Sequence, residues 1–216
     1  MEKFGNITLY NDDCMNVMKT FADKQFSLAI VDVPYGIGVN KMTLGNGKRI
    51  IRRGSNDWDA KSPDETYFSE LMRVSKNQII WGANHFISKM PFDSSCWIFW
   101  DKGTGNNDFA DGELAWTSFT TTVKKFSKSW VGANAKEKTE TDRIHPTQKP
   151  VQLYKWLLQN YAKEGDTILD THFGSLSIGI ACHDLGFELT AIELDKDYYE
   201  AGKKRLIEHQ MQLTIF

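Results

Sequence analysis

Two apolar runs in this chain each end on a carboxylate and break at once into a glycine-containing loop. Phe26-Ser27-Leu28-Ala29-Ile30-Val31 leads into Asp32-Val33-Pro34-Tyr35-Gly36, and Thr167-Ile168-Leu169 leads into Asp170-Thr171-His172-Phe173-Gly174-Ser175. Short apolar runs bounded by turn residues read as buried strands. In open α/β sheets ligands bind at the carboxyl ends of strands, so these two ends are two halves of a candidate site.

The rest of the chain alternates in the same way. The spacing of Phe68, Leu71 and Met72 predicts a helix over 64–74, and strands are expected at 78–81, 96–100 and 120–126. Pro150 opens a helix reaching Ala162, with Val151, Tyr154, Leu158 and Tyr161 along one side. A strand over 167–169 follows, then a helix from about 177 to 185 stopped by Gly186, a strand over 188–192 and a last helix over 197–209. This order predicts an α/β fold with a mostly parallel sheet and helices on both faces.

With 216 residues and 41% hydrophobic content, residues 1–216 read as a single domain with its own core. There is no apolar run of about 18 residues and no charged-then-apolar leader, so neither a membrane span nor a signal peptide is expected. Cys14, Cys96 and Cys182 are scattered, without a Cys-x-x-Cys or a clustered histidine. They read as reduced thiols of a cytoplasmic protein, not as a disulfide frame or a metal site. No G-x-G-x-x-G follows a strand, which disfavours an NAD-dependent oxidoreductase.

Net charge is only −2, but it is unevenly placed. Residues 40–54 carry Lys41, Lys48, Arg49, Arg52 and Arg53, three glycines and no acid, and so read as a basic loop. A second basic stretch holds Lys124, Lys125, Lys128, Lys136 and Lys138. Such runs are either solvated faces or phosphate contacts.

Between the two strand ends lies His145-Pro146-Thr147-Gln148-Lys149-Pro150. An Asp-Val-Pro-Tyr tetrad, this hexapeptide and then a glycine-containing loop, in that order and over nearly the whole chain, resemble the circularly permuted, β-class DNA amino-methyltransferases. That family, of restriction-modification type, uses S-adenosylmethionine. The resemblance implies a class I methyltransferase-like, Rossmann-like three-layer sandwich that methylates a base amine in double-stranded DNA. Aspartate at position 32 favours adenine N6. Cytosine N4, or a catalytically impaired DNA- or cofactor-binding relative, is the alternative. A covalent route is not expected, because none of the three cysteines follows a proline.

An exocyclic base amine is a poor nucleophile, since its lone pair is delocalised into the ring. By resemblance, Asp32 and the backbone carbonyl of Val33 accept its two N–H bonds, Pro34 stiffens the turn, and Tyr35 offers a ring to a base swung out of the duplex. Asp170 would orient the methionine portion of the cofactor, with Phe173, Gly174, Ser175 and Ser177 shaping the pocket floor. Glu193 would accept from the ribose hydroxyls, and Thr147 and Lys149 would donate to the cofactor carboxylate. Lys41, Lys48, Arg49, Arg52 and Arg53 follow the tetrad, where a DNA backbone would pass, and DNA-recognition insertions are expected at 36–60 and 103–144.

Leu176 stands where the family has a second loop glycine, so its side chain is expected to crowd the cofactor or to require a different local backbone. Trp81, Trp97, Phe99 and Trp100 read as core, whereas Trp58 and Trp116 fall in irregular stretches and suit DNA contact, an interface or packing under a loop. Gln212-Leu213-Thr214-Ile215-Phe216 resembles the short peptide by which bacterial replication and repair proteins dock on the sliding clamp. It could equally tuck against the domain as a terminal strand. Monomer and homodimer are both open.

Overall fold

The structure, a computed structural model, describes residues 1–37, 59, 61–104, 110–129, 144–145 and 147–212, with the backbone alone at 43–44 and 48–49. The chain begins with β1 (Glu2–Phe4), β2 (Ile7–Asn11), α1 (Cys14–Met18) and β3 (Phe26–Val31), followed by the two-residue strands β4 (Thr43–Leu44) and β5 (Lys48–Arg49). Next come α2 (Glu65–Val74), β6 (Ser75–Trp81), β7 (Trp97–Asp101), β8 (Gly112–Thr117) and β9 (Lys124–Ser127). The final part contains α3 (Val151–Tyr161), β10 (Thr167–Asp170), α4 (Ser177–Leu185), β11 (Glu188–Glu193) and α5 (Lys196–Gln212).

Nine strands form one sheet in the order β1-β2-β11-β10-β3-β6-β8-β7-β9, while β4 and β5 pair as a separate antiparallel hairpin. The central run β2, β11, β10, β3, β6 is parallel throughout. Alternation along these strands sends side chains to two faces. Leu28, Ile30, Ile79, Trp81 and Ile168 pack with Leu157 of α3, Ile178 of α4 and Leu206 of α5. Ala29, Val31, Ile80 and Leu169 pack on the other face with Val17 of α1 and Leu71 of α2. The three-layer α/β sandwich is therefore as expected.

Gly186 ends α4 in the left-handed conformation as predicted, and α2 begins one residue later than expected, with Asp64 capping it by accepting from the Tyr67 backbone N–H at 3.1 Å. β3 → α2 → β6 moves to one side of the sheet and β10 → α4 → β11 to the other, so the strand order reverses between the adjacent β3 and β10. That is a topological switch point, where such sheets bind ligands.

Other expectations are corrected. The first part of the insertion expected at 103–144 contains β8, which pairs antiparallel with both β6 and β7. Trp116 sits on that strand at 1% exposure, its indole N–H donating to the Phe92 carbonyl at 3.3 Å, so it is core and not a DNA-contact candidate. The strand expected at 120–126 begins only at Lys124. β1, β2 and α1 have no counterpart in the sequence reading. Trp81 and Trp100 are buried as predicted, while Trp97 and Phe99 are half-buried.

Lys41, Arg52, Arg53, Trp58, Lys136, Lys138 and the tail residues 213–216 lie outside the described residues, as do the side chains of Lys48 and Arg49. Among the described residues no helix is long and apolar enough to cross a membrane, and no cluster of metal-ligating side chains occurs. All three cysteines are free thiols.

Candidate active site

The switch point opens into a cleft of about 1360 Å³, lined by Asp32, Val33, Pro34 and Tyr35 on one side and by Phe173, Gly174, Ser175 and Glu193 on the other. Thr147 and Lys149 line it as well. Ligand pockets for one drug-sized molecule measure roughly 300–1,000 Å³, so this cleft has room for more than one ligand.

The turn after β3 is held by a residue absent from the sequence reading. Asp59, 2% exposed, accepts from the backbone N–H groups of Tyr35 and Gly36 at 2.8 and 2.9 Å. The Tyr35 ring lies against the backbone of Gly82, where a Cβ would come within 2.0 Å of the ring. His85 stacks on the same ring, with centroids 5.1 Å apart. The Val33 side chain is buried in the core, which leaves its main chain as the part able to face a ligand.

Charge concentrates at this end of the cleft. The Lys149 ammonium sits 2.6 Å from Asp32 Oδ2 and 2.9 Å from Glu113 Oε2, and it donates to the Tyr35 hydroxyl at 3.3 Å. The same hydroxyl lies 2.9 Å from Asp32 Oδ1 and 3.3 Å from Glu113 Oε2. Glu113 is paired in addition with Lys102. Burial pushes the Asp32 carboxyl above its ordinary range, against the pull of Lys149. Burial acts on Glu113 too, but the two ammonium groups outweigh it and hold that carboxyl at about 2. The expectation that Lys149 serves the cofactor carboxylate is thus not what the geometry presents. Its ammonium, on a side chain only 1% exposed, is engaged by two protein carboxylates.

The loop after β10 is tied to the next strand end. Glu193 accepts from the Gly174 and Asp195 backbone N–H groups, both at 2.9 Å. Asp170 is 1% exposed and accepts from the His172 N–H at 3.0 Å, so it lies beneath the cleft wall and not on it. Burial raises Asp170 to about 8 and Glu193 to about 7. Thr147 faces the cleft with its hydroxyl 3.1 Å from His145 Nδ1. Ser177 turns away, with Arg205 donating to its hydroxyl at 2.8 Å.

Leu176 takes the glycine-like backbone, at φ +56°, but its side chain is fully buried and not on the cleft wall. It packs where Gly179 and Gly202 leave room: a Cβ on Gly179 would lie 2.7 Å from Leu176 Cγ, and one on Gly202 would lie 3.1 Å from Leu176 Cβ. The side chain is thus directed into the core and does not line the cleft. Leu176→Gly therefore acts on stability. It relieves about 1 kcal/mol of left-handed strain but empties a core site whose truncation costs about 2–5 kcal/mol. The expected result is a melting temperature lower by roughly 3–12 °C, with cofactor affinity unchanged by calorimetry. A tighter-binding, equally stable variant would restore the crowding idea.

Glu113, Lys102, Asp59 and His85 are the site residues that sequence reasoning missed. Asp59 and His85 carried no local signal, and Glu113 belongs to the stretch read as irregular. The cleft suits S-adenosylmethionine in its chemistry: the carboxylates of Asp32, after β3, and Glu193, at the end of β11, line it where a cationic cofactor would bind.

Residues 106–204 match the family model described as DNA methylase. The Type II methyltransferase M2.DpnII of Streptococcus pneumoniae is 35% identical over 83 residues, covering 38% of this chain and 31% of that protein. M2.LlaDCHI of Lactococcus lactis subsp. cremoris is 32% identical over 99 residues, covering 46% of this chain and 33% of that protein. The chain thus spans about a third of the length of these curated relatives. Among solved structures, the M1.HpyAVI–SAM complex superposes with a TM-score of 0.57 at 21% identity, covering 93% of this chain and all of the other. The cytosine-N4-specific PvuII DNA methyltransferase superposes with a TM-score of 0.60 at 12% identity, covering 97% and 96%. These overlaps agree with the class I methyltransferase-like sandwich.

Proposed function

For a chain related to the DNA methylases, we propose transfer of a methyl group from S-adenosylmethionine to an exocyclic amine of a DNA base, with adenine N6 as the favoured target. One observation carries this reading: β3 and β10 are neighbours, so Asp32 and the loop 171–175 line one cleft. Bound there, the cofactor supplies an electrophilic sulfonium methyl group. The amine nitrogen would form a bond to that carbon as the S–CH3 bond breaks with its electron pair left on sulfur, and the one proton then lost from nitrogen would pass along its hydrogen bond to Asp32 and on to solvent. Asp32 accepts an N–H of the amine, localising the lone pair on nitrogen, and the Val33 carbonyl is the second acceptor. Each carboxylate oxygen has two acceptor sites, so Asp32 can receive the amine while Lys149 and Tyr35 stay in place.

Tritiated S-adenosylmethionine and unmethylated bacterial chromosomal DNA test the reading, with nucleosides separated after digestion. Label in N6-methyladenine is the expected result. Label in N4-methylcytosine would move the target to cytosine, and no label from folded, cofactor-binding protein would favour an impaired relative.

Cofactor binding carries a pH signature. Asp170 and Glu193 ionise only as pH rises through about 8 and 7. A cationic ligand favours the ionised forms, so affinity should rise from pH 6 to pH 8.5, with proton release measured by calorimetry in two buffers of different ionisation enthalpy. The unliganded protein should behave oppositely. Carboxyls raised in the fold stabilise it below their unfolded values, and that contribution is lost as pH rises through 7 and 8. Parallel pH trends for affinity and stability would remove both carboxyls from the cofactor site.

A further inference from the structure

Among the charged groups of this cleft, half-buried Glu113 has no part in the methyl-transfer scheme, yet it shares the scheme's only ammonium within reach of Asp32 among the described residues. Its carboxylate approaches Lys149 at 2.9 Å, beside the 2.6 Å approach of Asp32, and its other oxygen is paired with Lys102. The four charges are linked by contact in the order Asp32, Lys149, Glu113, Lys102. Three separate segments supply Asp32, Lys149 and Glu113 in turn: the end of β3, the turn before α3, and β8. We propose that Glu113 is a positioning residue for methyl transfer, sharing the Lys149 ammonium so that Asp32 stays ionised without being fully neutralised. The proposal rests on the methyltransferase reading above.

The physical reason is competition. A carboxylate in low dielectric needs a counter-charge to remain ionised, and burial alone would protonate it. A single dedicated ammonium, however, would hold the carboxylate in a tight ion pair and weaken it as an acceptor for the target amine. Lys149 divided between two carboxylates gives an intermediate field. Lys102 sets how strongly Glu113 competes, and its side chain, 17% exposed, connects these contacts to the cleft margin. The groups that act on Asp32 are Tyr35, Glu113 and Lys149, with Tyr154 of α3 and Asp170 of β10 also within electrostatic reach. Only Lys149 among them is cationic.

Two substitutions should then move the acid limb of the kcat–pH profile in opposite directions. Glu113→Gln removes a negative charge that raises the Asp32 carboxyl and leaves Lys149 wholly to Asp32. The acid limb should shift to lower pH, with kcat down by about tenfold, the effect of one pKa unit of lost acceptor strength. Lys102→Met removes a positive charge and frees Glu113 to draw Lys149 away, so its acid limb should shift to higher pH. Cofactor affinity, read by calorimetry, should stay within about twofold in both, since a tenfold change would correspond to 1.4 kcal/mol.

The assay uses tritium transfer to unmethylated bacterial chromosomal DNA, with circular dichroism confirming the fold. Opposite displacements support the assignment. Superimposable profiles, or a uniform loss of rate without displacement, would overturn it while leaving the methyltransferase reading intact. If Glu113→Gln does not fold, the Lys102→Met limb decides alone, and a shift to lower pH or no shift overturns the proposal. Wild-type protein that binds cofactor but labels no DNA overturns the reading itself, and Glu113's role falls with it.

Discussion

Asp32→Ala should lower single-turnover methyl transfer by about 10²–10⁴-fold, the range lost when a group that handles the reacting proton is removed. Fold and cofactor binding should survive, because the neighbouring groups keep their partners. Lys149 retains Glu113 at 2.9 Å, and the Tyr35 hydroxyl retains Glu113 at 3.3 Å. Asp32→Asn preserves one acceptor oxygen and should fall between alanine and wild type. Wild-type turnover by a folded Asp32→Ala protein would show that the tetrad is not the reacting centre.

Lys149→Met should be the most destabilising single change in the cleft. It leaves Asp32 and Glu113 as two mostly buried carboxylates with no ammonium between them, and breaking such a pair from one side costs about 3–5 kcal/mol. Against a total stability of about 5–15 kcal/mol, urea unfolding at neutral pH should show a large fall in midpoint. The loss should shrink towards acid pH. With Lys149 gone, the Asp32 carboxyl, already raised, rises further, and the fold then favours its protonated form. Adding Glu113→Gln should recover part of the loss by removing the repulsion. A single substitution that leaves the midpoint unchanged would mean that solvent already screens these charges.

Legibility differed between the two halves of the site. The ends of β3 and β10 and the Gly186 stop were written in short segments, because each depends on neighbours a few residues away. β2 shows alternation too, with Ile7 and Leu9 fully buried and Thr8 half-buried, yet it was passed over at the start of the chain. Glu113 was not legible at all. It sits in Gly112-Glu113-Leu114-Ala115-Trp116-Thr117, whose three buried residues are consecutive and not alternating, so neither its strand nor its burial shows as a period. Leu176 misled for the opposite reason. A different local backbone was one expectation there, yet the loop keeps a glycine-like φ of +56°, and the direction of the side chain depends on Gly179 and Gly202, the latter on another helix.

The sequence by itself determined that β3 and β10 are strands running to Asp32 and Asp170 and that α2, α3, α4 and α5 are helices, since local periodicity and turn chemistry record which faces must leave water. Tertiary structure alone decided that β3 and β10 are neighbours, that β8 brings Glu113 to the cleft, and that Lys149 faces carboxylates of its own chain. Tyr35 and Lys149 stand 114 positions apart and meet at 3.3 Å. The field at a buried charge is set by whatever lies within a few ångströms of it, and no pattern along the chain records which distant residue that will be.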